Sequence, residues 1–254
     1  MGYISDQQGI LNRYFREKEG WAEHLINTKE FILECLAGKE VNKLIVLGSG
    51  WLLDFPLEKL YSQIKKISLI DIYHPPQVIK KVKNFPGVEC ISADITGGYI
   101  RQIYDKVNEC KKHKTEFSFD DNITIPVYSG DENDYIISLN ILNQLDILLT
   151  DYIKSQIKVS DNSILQIRKK LQKDHINFLS TTKYILITDS EEIIINNQGE
   201  KESSKNLLYS DLPLSDYSKE WSWRFDNSGL YNPKRQTHMN VRALYSESPI
   251  IHYI

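Results

Sequence analysis

A chain of 254 residues, 41% hydrophobic and 26% charged, holds enough apolar material for one sizeable core, which excludes a disordered or collagen-like protein. Its net charge of −3 supplies no field that would draw the whole surface to an anionic membrane or to nucleic acid, so nucleic acid is not indicated as a partner. Cys35, Cys90 and Cys110 are far apart and odd in number, with no CxxC or Cys/His cluster; this argues for free thiols in a reducing compartment and against a disulfide framework or a bound metal.

The segment Met1 to Arg16 is polar and mixed in charge, without the apolar core of a signal peptide. No apolar run approaches the ~20 residues that span a bilayer, so no membrane is expected and the expected location is cytoplasmic. Residues 6 to 37 read as one or two helices. Trp21, Leu25, Ile32 and Leu36, with Ala22, Phe31 and Leu33 beside them, recur near a helical period, and Gly38 stands where a C-cap glycine belongs. No glycine- or proline-rich linker follows, so residues 1–40 are expected as a helical lead packed on a core domain of residues 41–254.

Strands and helices then alternate. Leu44–Leu47 reads as a strand, Pro56–Ile64 as a helix, Ile67–Ile72 as a strand, and Pro75-Pro76 to Lys83 as a helix. Val88–Ser92 follows as a strand and Gly98–Lys112 as a helix, and residues 113–131 break the pattern as an insertion or lid. Tyr135–Leu139 is the next strand. A helical region comes after it, including Ser163–Leu179 with Ile164, Ile167, Leu171, His175 and Phe178 on one stripe, and then the strand Tyr184–Thr188. Residues 196–206 are polar and read as a mobile loop. Trp221–Phe225 and Met239–Tyr245 alternate apolar with polar and are separated by Asp226-Asn227-Ser228-Gly229 and Asn232-Pro233, the chemistry of a turn between antiparallel strands. The alternation predicts an α/β fold with a parallel sheet covered on both faces.

The chemistry gathers at the strand ends. Lys43-Leu44-Ile45-Val46-Leu47 runs into Gly48-Ser49-Gly50, where a backbone can turn sharply and lie against a ligand. A second apolar run, Leu69-Ile70, ends in Asp71, and the spacing from Gly50 is the ~20 residues at which nucleotide-binding α/β domains place a ribose-holding acid. A dinucleotide site needs a third glycine to seat its pyrophosphate; that position is Leu53, which turns the reading toward a nucleoside cofactor without phosphates.

At this point the chain resembles the class I S-adenosylmethionine-dependent methyltransferases. The resemblance rests on Val46-Leu47-Gly48-Ser49-Gly50, Leu69-Ile70-Asp71-Ile72, Ala93-Asp94-Ile95 and Ile136-Ile137-Ser138-Leu139-Asn140, and covers roughly residues 40 to 250. It implies a Rossmann-like, seven-stranded, mostly parallel sheet with a closing antiparallel hairpin, and S-adenosyl-L-methionine as cofactor. It also implies that Gly48, Ser49 and Gly50 support the methionine and ribose part and that Asp71 binds the ribose hydroxyls. Ile72 and Ile95 would then wall the adenine, Asp94 would meet its amino group, and Asn140 would line the methyl-transfer mouth. Two positions depart from the family's pattern: Val46 stands where an acid is usual, and Trp51 follows Gly50 where a small residue is common. These departures motivate an alternative, a non-catalytic methyltransferase-like binding or scaffold protein, and a nicotinamide-dependent oxidoreductase is a more distant one.

Plainer roles stand beside these. Asp71 and Asp94 could each cap the helix that follows, His175 reads as a core histidine, and His74 fits either a ribose contact or a helix entry beside Pro75. Trp221, Trp223, Arg224 and His238 read first as strand packing, and Lys111-Lys112 and Lys169-Lys170 as solvated helix faces. Spacing assigns no catalytic base. The acidic balance and the lack of a nucleic-acid module favour a small-molecule acceptor.

Overall fold

The structure is a computed structural model that describes residues 1–118 and 133–247. Two helices lead, α1 (Tyr3–Arg16) and α2 (Lys18–Leu36). The alternating part follows as β1 (Lys43–Leu47), α3 (Leu57–Tyr61), β2 (Lys66–Asp71), α4 (Pro76–Val82), β3 (Val88–Ser92), α5 (Tyr99–His113) and β4 (Asp134–Leu139). After a 3-10 turn at Leu142–Gln144 come α6 (Ile147–Gln156), α7 (Asp161–Leu179), β5 (Lys183–Ile195), β6 (Lys201–Asn206), β7 (Tyr217–Asp226) and β8 (Gln236–Ser246). No helix among the described residues is long and apolar enough to cross a membrane.

The described strands form one sheet in the order β3-β2-β1-β4-β5-β8-β7, with β6 paired to the far half of β5. Strands β1 to β5 are parallel where they pair, and β8 and β7 close the sheet antiparallel. The period-two alternation of β1 shows how the sheet is covered. Leu44 and Val46 enter a core with α2, α3 and α4, while Ile45 and Leu47 enter a second core with Leu142, Leu145, Ile176 and Leu179. Helices α5, α6 and α7 join in a third cluster around Ile103, Val107, Leu149, Ile153 and Ile167. This is the expected α/β architecture with helices on both faces.

Expectations are corrected at three elements. The sheet has eight strands rather than seven, because residues 196–206, expected as a mobile loop, form a tight turn and strand β6. Asn196 Oδ1 accepts from Gln198 N and Glu200 N, Gly199 takes a φ of 82°, and the returning segment pairs with Ile193–Ile195. Every β6 side chain is exposed, as suits an edge strand, and this is why it reads as polar loop. Strand β5 continues seven residues past Thr188, through Asp189 and a bulge, to Ile195. Helix α3 is only five residues long and begins after Pro56. The expected insertion at 113–131 lies, from residue 119 onward, outside the described residues.

The helical lead is tied to the closing hairpin. Trp21 Nε1 donates to Phe225 O at 2.9 Å, Trp21 meets Trp223 edge-on at 4.8 Å, and His24 stacks on Trp223 at 3.9 Å. Gly20 makes this approach feasible: a Cβ there would lie 2.6 Å from Arg224 O.

Candidate functional site

The chain runs outward from β1 to β3, then returns to place β4 on the other side of β1, so the carboxyl ends of β1 and β4 form the switch point at which open α/β sheets bind ligands. A cavity of about 340 Å³ opens there. Its floor is the glycine loop. Gly48 takes a φ of 80°, and a Cβ on it would lie 2.8 Å from Leu139 O and 2.9 Å from Ile141 Cβ, so only glycine lets the loop cross the end of β4. Gly48 N and Ser49 N donate to Ile70 O, and Gly50 N donates to Asp71 Oδ2 at 2.8 Å. At Gly50 a Cβ would meet nothing nearer than the Gln7 side-chain amide of α1 at 3.7 Å. Residues 51–56 are turn and coil before α3, so no helix N-terminus stands behind the loop to seat a phosphate.

All eight residues expected at a site, Gly48, Ser49, Gly50, Asp71, Ile72, Asp94, Ile95 and Asn140, line this one cavity. Neither acid caps a helix: α4 is entered through Pro75 and α5 through Gly98, each without a side-chain cap. Asp71 instead fastens the glycine loop to the end of β2. Burial pushes its carboxyl above the ordinary carboxylate range, against the N–H of Gly50 that favours the ionised form. Asp94 Oδ1 accepts from Thr96 N at 2.8 Å and Thr96 Oγ1 at 2.5 Å, an Asx turn that fixes the acid at the cavity edge. Asn140 sits at a φ of 51°, and its Nδ2 donates to Asp54 Oδ2 at 2.7 Å.

Several cavity residues were not among those the sequence pointed to. Arg13 of α1 lies 4.4 Å from the Phe225 ring centre and 5.0 Å from that of Tyr231; desolvation lowers its pKa, and no ion pair is found for it among the described residues. His24 of α2 accepts from Trp221 Nε1 on Nδ1 at 3.1 Å, and burial pushes its pKa down to about 3, so it is neutral. Asp54 follows the glycine loop, and Asp189 lies inside β5; burial raises both carboxyls, Asp189 to about 7, with Asp54 adding to the rise at Asp189. Asp189 had a readable signal, a carboxylate directly after an apolar strand, the same signal that marks Asp71.

The polar accounting of the walls is incomplete. Six buried side-chain atoms on cavity-lining residues have no hydrogen-bond partner among the described residues: Gln7 Oε1, Arg13 Nε, Ser49 Oγ, Asn140 Oδ1, Asp189 Oδ1 and Trp223 Nε1. The remaining histidines lie elsewhere. His175 pairs with Ser138 Oγ at 2.8 Å inside the core, its pKa pushed down to about 4 by burial, as its helical stripe implies. His74 Nε2 turns to Ile91 O at 3.1 Å and does not line the cavity, and His238 lies on β8 outside it. Trp223 serves both readings: it is core packing and cavity wall at once.

No protein-family model matches the chain, and no curated protein matches it in sequence. Solved structures to which the chain is similar include the N-methyltransferase NodS from Bradyrhizobium japonicum WM9 in complex with S-adenosyl-L-homocysteine, at 11% identity over 85% of each chain and a TM-score of 0.34. Another is the 1,6-didemethyltoxoflavin-N1-methyltransferase of Burkholderia thailandensis, at 10% identity over 95% of this chain and 89% of that one, with a TM-score of 0.41. The 23S rRNA methyltransferase ErmE is similar over 89% of this chain and 70% of its own, at 10% identity and a TM-score of 0.33.

Proposed function

We propose that this chain binds S-adenosyl-L-methionine in the switch-point cavity and is a methyltransferase for a small-molecule acceptor. One observation carries the reading: residues from the ends of β1, β2, β3 and β4 meet at one cavity whose walls hold six buried polar atoms without a partner among the described residues. The residues fit the cofactor in kind. The Ser49 hydroxyl and the Asp71 carboxyl line the cavity and would offer partners for ribose hydroxyls, Ile72 and Ile95 would offer apolar walls for adenine, and Asp94 would offer an acceptor for its amino group. Gly48 to Gly50 give a flat backbone for the methionine part, leading toward Asn140.

When bound, the cofactor supplies an electrophilic methyl group on a sulfonium, whose displacement needs alignment and a deprotonated nucleophile. The chain's own contribution is position and exclusion of water. Helix α1 lines the cavity through Gln7, Ile10 and Arg13, with Trp51 Nε1 donating to Gln7 O at 2.7 Å, and Trp21, His24 and Trp223 wall the side of the hairpin. Because α1 and α2 supply cavity walls, we read residues 1–40 as part of the same functional unit as the sheet domain. The loop without a following helix N-terminus speaks against a dinucleotide.

A second reading rests on Val46, which is fully buried in the apolar core where the resembling family carries an acid: a protein that binds the cofactor without catalysis. Calorimetry with S-adenosylhomocysteine tests the site for both. Binding in the micromolar range is expected, weakened about tenfold in Asp71→Asn, whose amide oxygen can still accept from Gly50 N–H but without the charge assistance worth ~1–1.5 kcal/mol. No heat at high protein concentration overturns both readings, and tight binding of a reduced nicotinamide instead points to the oxidoreductase. Binding with no methyl transfer to any acceptor leaves only the second.

A further inference from the structure

The wall of the cavity built by β4 and β5 ends in two hydrogen-bond acceptors that the described chain does not satisfy. Asp189 is 4% exposed; its Oδ2 takes a long bond from Asn143 Nδ2 at 3.4 Å, and its Oδ1 has no partner. Asn140 spends its Nδ2 on Asp54, and its Oδ1 is buried without a donor. Strand pairing sets them side by side, since Asn140 N donates to Ile187 O at 2.9 Å, two residues before Asp189. The β5 bulge falls at Asp189, where the register with β8 shifts between Asp189 and Glu191, and bulges re-aim side chains in this way.

A buried acceptor without a partner has lost its water and gained nothing in return, and a carboxylate loses more, so this corner is relieved by a ligand that brings N–H donors and not by one that brings acceptors. Its charge points the same way. Asp54 and Asp189 share the corner, His24 beside it is neutral, and the nearest cation in the cavity wall, Arg13, is stacked on Phe225 and Tyr231. The adjoining wall is the stacked pair His24 and Trp223 with Met239, aromatic and apolar apart from Trp223 Nε1, unpartnered among the described residues, a surface suited to the body of an organic cation.

We propose that Asp189 and Asn140 receive the amino group of the methyl acceptor, and that the acceptor is a primary or secondary amine with an apolar or aromatic body. The inference rests on the methyltransferase reading. The ammonium's N–H bond breaks with its proton passing to Asp189 Oδ1. The freed nitrogen lone pair then forms the N–C bond as the C–S bond of the sulfonium breaks, leaving that electron pair on sulfur. Asp189 thus binds the acceptor and holds the proton that the nitrogen sheds, with burial placing the carboxyl near neutrality for that task.

The test is calorimetry on protein saturated with S-adenosylhomocysteine, titrated with 2-phenylethylamine, benzylamine and the neutral control 2-phenylethanol at pH 8. The amines are expected to bind at least about tenfold tighter than the alcohol, and Asp189→Asn to erase that preference while the affinity for S-adenosylhomocysteine stays within about twofold. Equal binding of amine and alcohol, or binding of neither, overturns the inference and leaves the cofactor reading intact. So does a variant in which S-adenosylhomocysteine weakens while methylthioadenosine, which lacks the amino-acid end, does not; Asp189 would then serve the cofactor's own ammonium. Failure of S-adenosylhomocysteine to bind the wild-type protein overturns both. An Asp189→Ala variant with the same readouts guards against an effect peculiar to asparagine.

Discussion

Burial with few donors raises the Asp189 carboxyl from an ordinary 3.8 to about 7, and the fold bears the cost of that shift. Between these values the folded chain holds a proton that the unfolded chain has released, so stability falls as pH rises through this window and levels off above it. Asp189→Asn has no such titration. Its stability relative to wild type is therefore expected to climb from pH 4 to pH 7 and then stay constant, by up to ~4 kcal/mol at about 1.4 kcal/mol for each tenfold change in acidity. Urea melts of both proteins at pH 4, 5, 6, 7 and 8 measure the gap; a gap that does not change with pH rejects the shift. The cavity-lining residues that were legible in the sequence share the local signature of an apolar strand ending in glycine, acid or amide, as at Gly48, Asp71, Asp94 and Asn140. Asp189 bears the same signature, but its strand continues through a bulge, so the end of the apolar run is not the end of the element. Arg13 and His24 had no signature at all, because helices α1 and α2 bring them to the cavity from outside the alternating pattern.

Elements whose burial is one-sided or complete were readable from periodicity, and those governed by pairing were not. Strand β3 was placed residue for residue, and α7 needed only its stripe. Strand β6 has no buried side chain, and its existence depends on a turn at Asn196–Gly199 and on open edge positions of β5, neither of which composition displays. The contact between α2 and β7 is likewise a property of two elements about 200 residues apart, and Gly20 sets its distance. Two effects compete at that position. Alanine improves an isolated helix by up to ~1 kcal/mol. Its Cβ, however, would stand 2.6 Å from Arg224 O and 2.7 Å from Asn227 Nδ2, and overpacking of this kind costs ~1–3 kcal/mol. The backbone oxygen cannot swing aside as a side-chain tip can, so the clash wins. Gly20→Ala is expected to lose about 1–2 kcal/mol and to lower Tm by roughly 2–8 °C in a thermal melt. An unchanged or raised Tm means that α2 and the hairpin lie farther apart than described.

At the scale of the molecule, the sheet and its two flanking layers make the frame, and α1 is attached to it through partly buried residues such as Ile10 and Tyr14. It has no fully buried residue. It is fastened by Trp51 Nε1 to Gln7 O at 2.7 Å and by Arg13 over Phe225 and Tyr231, contacts between cavity-lining residues, and by Arg16 to Asp226 at 3.1 Å outside the lining. Few buried contacts mean a low free energy of local opening, so α1 amides are expected to exchange hydrogen faster than those of β1 and β4, whose side chains lie in two apolar cores. The same geometry couples that opening to the ligand. If the cavity binds S-adenosylhomocysteine beneath α1, opening that releases the ligand costs a further RT ln(1 + [L]/Kd), ~2.7 kcal/mol at a hundredfold excess over Kd. Exchange in α1 should then slow by up to about a hundredfold, while the β5–β6 turn, whose residues do not line the cavity, keeps its rate. Hydrogen exchange followed by mass spectrometry with and without S-adenosylhomocysteine reads both segments in one experiment. Slowing in both alike would indicate global stabilisation instead of a cover over the site, and slowing in neither, with binding established by calorimetry, would place the ligand outside the reach of α1.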